Sequence, residues 1–114
     1  MEEIFQRNVR TISAINRQRG IKTLWVGQVM DDRRLQEGEP WGWVPFLRPK
    51  DISRLTLRLN ELLKREAEAL GDIYVDAAPQ DFTSDDFVDD GHFTPAGSLK
   101  FAARLAPAVA AACR

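Results

Sequence analysis

Two short apolar runs constrain this chain more than anything else in it. IKTLWVGQV (Ile21–Val29) and DIYVDAA (Asp72–Ala78) are rich in β-branched and aromatic residues and barely alternate between apolar and polar. A strand with one solvated face alternates; a strand covered on both faces, as in a parallel sheet, does not. Each run follows a stretch of helical periodicity that ends on glycine. Over residues 2–19, Phe5, Val9, Ile12 and Ile15 fall on one helical face, Arg17 and Arg19 load the last turn, and Gly20 stops the helix. Over residues 51–70, Ile52, Leu55, Leu59, Leu62, Leu63 and Leu70 form an apolar stripe, with Asp51 or Ser53 as the cap and Gly71 as the stop. A third helix is expected from Thr94, a natural N-cap followed by Pro95. Phe101, Leu105, Val109 and Ala112 are spaced along it, and Pro107 is expected to kink or break it. Helices alternating with strands place the chain in the α/β class, with a parallel sheet and right-handed crossovers.

Two strands do not balance three amphipathic helices, because an isolated strand pair is not stable alone. Residues 1–114 are therefore expected to be one partial domain, the C-terminal part of a larger α/β domain, or a unit completed by a second copy or another chain. The composition, 44% hydrophobic and 29% charged, is that of a globular protein rather than a disordered one. A net charge of -1 gives no basic field for nucleic acid. The single cysteine, Cys113, excludes an internal disulfide. No apolar run is long enough to span a bilayer, and MEEIFQRNVR lacks the apolar region of a signal peptide, which leaves the compartment open.

Ligands of open α/β sheets bind outside the carboxyl ends of the strands. Two segments are expected there. Residues 30–50 read as one long loop with Gly38, Pro40, Gly42, Pro45 and Pro49. Its Trp41, Trp43 and Phe46 either line a pocket for an acyl or sugar group or pack under the loop as a satellite core. The second segment, residues 78–93, is acidic and holds Asp81, Asp85, Asp86, Asp89, Asp90 and the only histidine, His92. An Asp-x-x-His turn brings a carboxylate beside an imidazole, fixes its tautomer and leaves the other ring nitrogen as a general base. The same residues are also compatible with a surface or capping histidine in a solvated loop. A hard-ligand cluster of Asp89, Asp90 and His92 lacks a second histidine or a spaced carboxylate pair, so no metal and no cofactor are expected. Asp76, at the end of the second strand, reads as a structural carboxylate bonding loop amides.

FVDDGHFTPAGSLKFAARL (Phe87–Leu105) resembles the last conserved block of the SGNH (GDSL-type) hydrolases, with Asp89, His92, Pro95 and Gly97 in matching places. RGIKTLWVGQV and RLNELLKREAEALGDIYVDAA are similar to that family's preceding regions, where Asn60 and Asp76 match. The resemblance implies a flavodoxin-like three-layer α/β/α sandwich of about five parallel strands. It implies His92 as catalytic base, Asp89 as its orienting partner, and hydrolysis of a small-molecule, carbohydrate or lipid ester through a serine-bound acyl-enzyme. The departure is that no Gly-Asp-Ser block and no oxyanion-hole block is present. Ser13, Ser53 and Ser98 fall on predicted helices, and Ser84 lies in the His92 loop without glycine neighbours. The chain is thus expected to carry the base half of an ester hydrolase site, with little activity alone and with self-association or a partner chain completing the sheet. The other expectation is a non-catalytic truncated relative serving as a binding or assembly module.

Overall fold

The computed structural model describes residues 1–37 and 45–114. Helix α1 (Glu2–Gln18) leads into strand β1 (Leu24–Val26), short helix α2 (Asp32–Glu37) and long helix α3 (Pro49–Leu70). Strand β2 (Ile73–Val75), two 3-10 turns (Pro79–Asp81 and Ser84–Asp86) and helix α4 (Pro95–Ala112) follow. Among the described residues the sheet has two parallel strands, with Leu24 opposite Ile73, Trp25 opposite Tyr74 and Val26 opposite Val75. The chain is α/β, as its alternating pattern predicts.

Successive residues of a strand point to opposite faces, and here each face meets a helix. Val26 packs into a cluster of Val29, Ala77, Phe87, Phe82, Phe93 and Phe101, the last on α4. The next residue, Gly27, faces α3: a Cβ there would lie 2.9 Å from Asn60 Cγ and 3.1 Å from the Tyr74 hydroxyl. Helix α1 packs on α3 through buried Val9 and Ser13, and Glu66 accepts hydrogen bonds from Gln6 (2.8 Å) and from both Nε and Nη2 of Arg10 (2.7 Å each).

Several boundaries differ from the sequence expectation for local reasons. Both strands are shorter than their apolar runs, and their residues are half-buried rather than covered. Asn60 takes up the Gln28 backbone on both sides, N–H to Oδ1 at 2.9 Å and Nδ2 to the carbonyl at 2.8 Å. The Gln28 N–H is then not free for the ladder, and β1 ends before it. Residues 30–50 are not one loop, because Asp32–Glu37 is helical. Asp31 caps that helix, its carboxylate accepting the Arg34 N–H at 3.3 Å, and Leu35 anchors it at 1% exposure. Helix α3 starts at Pro49 after Arg48, not at Asp51 or Ser53. The fixed φ of proline suits a first helical position, and Asp51 instead pairs with Arg48 at 2.7 Å. Gly71 ends α3 at φ 72°, with the Asp72 N–H bonded back to the Ala67 carbonyl at 2.9 Å.

The face predicted for α1 is only partly the buried one. Val9 is buried, whereas Ile12 and Ile15 are exposed. The α3 stripe is buried at Ile52, Leu62 and Leu63. Helix α4 opens as expected, with Thr94 Oγ1 accepting the Gly97 N–H at 3.2 Å. Pro107 does not break it; the helix runs on to Ala112. Proline removes one donor, toward the carbonyl of Ala103, and that residue is exposed to solvent rather than buried without a partner. No helix among the described residues is long and apolar enough to cross a membrane.

Candidate active site

The turn that carries Asp89 and His92 is built on a pinned base. Thr83 and Asp86 cap the Ser84–Asp86 turn reciprocally, and the Asp86 carboxylate also accepts from Lys100 Nζ at 2.7 Å. That ammonium holds the Asp86 carboxyl below the usual carboxylate range. The Asp86 carbonyl accepts the Thr94 N–H at 2.8 Å. Phe87 and Phe93 then form an antiparallel bridge with their rings stacked 5.0 Å apart, and the Val88 N–H closes on the His92 carbonyl at 2.8 Å. Asp89, Asp90 and Gly91 are what remains to make the reversal.

Within that reversal Asp89 acts as a hub. Its Oδ1 accepts the backbone N–H groups of Gly91 (2.9 Å) and His92 (2.8 Å). The His92 Nδ1 lies 2.9 Å from Oδ1 and 2.8 Å from Oδ2. The two backbone donors, followed by the imidazole, lower the Asp89 pKa to about 2. A carboxylate that accepts from Nδ1 requires the hydrogen on that nitrogen, so in neutral His92 the lone pair is on Nε2. The His92 side chain is 83% exposed, which leaves the ring open to a reacting group and to water.

His92 and Asp89 border a cavity of about 380 Å³ whose other walls are Gln28, Met30, Asp90 and Gly91. Gln28 and Met30 follow β1, so the cavity sits at the carboxyl end of a strand. Asn60 fixes Gln28 there, and a Cβ at Gly91 would press within 3.1 Å of the Met30 sulfur.

Two of the serine hydroxyls are committed to other carboxylates. Ser84 Oγ donates to Asp31 Oδ1 at 3.1 Å, Ser53 Oγ to Asp32, and Ser13 is buried at 1% exposure. Ser98 lies on exposed α4. Among the described residues no serine hydroxyl is hydrogen-bonded to His92. Phe46 is 98% exposed and does not border the His92 cavity. Trp41 and Trp43 lie outside the described residues. Asp76 is structural, its Oδ1 accepting the Ala78 N–H at 2.8 Å and its carbonyl accepting from Arg104 Nε at 2.6 Å. Among the described residues no three His, Cys, Asp or Glu side chains gather as a metal site.

Sequence reasoning did not single out Gln28, Met30, Asp31 or the Arg34 contacts. The one available signal was position, since Gln28 to Arg34 follow the first predicted strand at its carboxyl end. The chain matches no protein-family model, no curated protein and no solved structure.

Proposed function

We propose that this chain carries the base half of a serine ester hydrolase site, with the nucleophilic serine supplied from outside these 114 residues. The observation that carries the reading is the Asp89 carboxylate, held by two backbone N–H groups and set 2.8–2.9 Å from His92 Nδ1. His92 Nε2 would take the proton of the serine hydroxyl as its oxygen attacks the ester carbonyl. The imidazolium so formed, stabilised by Asp89, would give that proton to the departing alkoxide. A water molecule would then be activated in the same way to release the acid and restore the serine. The cavity beside the pair offers room for part of a small-molecule, carbohydrate or lipid ester. In this reading the flavodoxin-like sandwich is completed by further parallel strands. They come from more chain or from a partner, next to a sheet whose two strands have no other ladder partner among the described residues.

A second reading, a non-catalytic binding or assembly module, draws on the exposure of the His92 ring and the absence, among the described residues, of a serine bonded to it. Hydrolysis of an activated acetyl ester separates the two. Combined with a serine-bearing segment from its own coding context or a partner chain, the protein is expected to turn the ester over. His92→Ala is then expected to lower that rate by about 100-fold or more. Equal rates for wild type and His92→Ala in every combination would leave the binding module.

A further inference from the structure

An exposed turn does not by itself hold a catalytic geometry, which needs support to within about 0.5 Å. The support here comes from the first turn of α2, more than fifty residues away in sequence. Arg34 Nη1 donates to the Val88 carbonyl at 2.8 Å, and Nη2 donates to the Phe87 carbonyl at 3.3 Å and reaches that of Ser84 at 3.5 Å. Arg34 Nε lies 3.1 Å from Asp31 Oδ2, and Asp31 is 4% exposed. Asp31 adds two ties of its own: its N–H donates to the Asp90 carbonyl at 2.9 Å, and its Oδ1 accepts from Ser84 Oγ at 3.1 Å. The residues on either side of Asp89 are thus bonded to α2 and its cap, Val88 to Arg34 and Asp90 to Asp31. A planar, forked donor set reaches several carbonyls while its charge sits beside the Asp31 carboxylate; an ammonium is a single point charge.

We propose that Arg34 is a positioning residue for the Asp89–His92 pair, holding the backbone at Phe87 and Val88 so that the Asp89 carboxylate stays on His92 Nδ1. The inference rests on the reading of that pair as a general base and its orienter. It assigns Arg34 no contact with substrate. Loss of the guanidinium frees the Val88 side of the turn, and the imidazole loses its fixed tautomer.

The chain has one histidine, so the imidazole of the ¹⁵N-labelled protein gives one set of ring signals. Long-range ¹H–¹⁵N correlation with the ring neutral reads which nitrogen carries the hydrogen. Wild type is expected to show Nδ1 protonated and Nε2 bare. Arg34→Gln is expected to shift the population to a mixture with the Nε2–H form while the near-ultraviolet signal of the folded protein is kept. Arg34→Lys is expected to do the same, since it keeps a charge for Asp31 but not the fork. Folded variants that retain the wild-type tautomer would overturn the role of Arg34 and leave the base reading standing. Wild type with hydrogen on Nε2 would overturn the base reading itself, and the inference with it. If Arg34→Gln does not fold, the Lys variant decides; if neither folds, Arg34 serves the whole fold and a role directed at the pair is wrong.

Discussion

At the scale of single residues, Asp89 accounts for most of what the turn does. It accepts two backbone N–H groups and an imidazole, and these hold its pKa at about 2, below the usual carboxylate range. A carboxyl whose folded pKa is depressed stabilises the folded state above its unfolded pKa and loses that contribution as pH falls through the folded one. The unfolded pKa of aspartate is about 3.9. The stability difference between wild type and Asp89→Asn is therefore expected to be fully present at neutral pH. It should shrink from about pH 4 downward and be gone below about pH 2. Urea unfolding at a series of pH values measures it. A difference that is constant from neutral to acid would show that Asp89 does not hold these donors in the folded state.

At the scale of elements, helix α4 is seated on the candidate site through Gly97. A Cβ at that position would lie 2.1 Å from the Asp86 carbonyl oxygen, a backbone atom already bonded to the Thr94 N–H. Gly97→Ala is expected to destabilise the fold by about 1–3 kcal/mol by forcing the helix off the Asp86 turn. An unchanged urea midpoint would mean that α4 does not dock there so closely. Much at this scale was legible in the sequence. Gly20 and Gly71 mark helix ends, and Thr94–Pro95 marks a helix start, because each signal is local. Asp89 and His92 were legible as a pair for the same reason, standing three residues apart. Helix α2 was hidden by the Gly and Pro residues that crowd the rest of residues 30–50. The contacts of Arg34 with Val88, and of Gln28 with Asn60, were hidden because they join segments far apart in sequence. Local pattern cannot report such bonds; only the topology that brings α2 beneath the turn does.

At the scale of the whole molecule, the chain is more extended than its length requires. Its radius of gyration is 15.5 Å, against about 13 Å for a compact chain of this size. Both strands are half-buried, and Ile4, Ile12 and Ile15 on α1 and Leu99 and Val109 on α4 are exposed. In the half-site reading proposed above, these exposed apolar helix faces, beside the two strands of the described residues, are surfaces that further structure would cover. A half-site, as proposed, would place the base in this chain and the nucleophile elsewhere. It is tested most directly by treating the purified chain and its His92→Ala variant with a fluorophosphonate probe, which bonds to an activated serine. Neither protein is expected to be labelled. Labelling of the wild type that is lost in His92→Ala would place an activated serine within these 114 residues and contradict the half-site, with Ser84 the first to test.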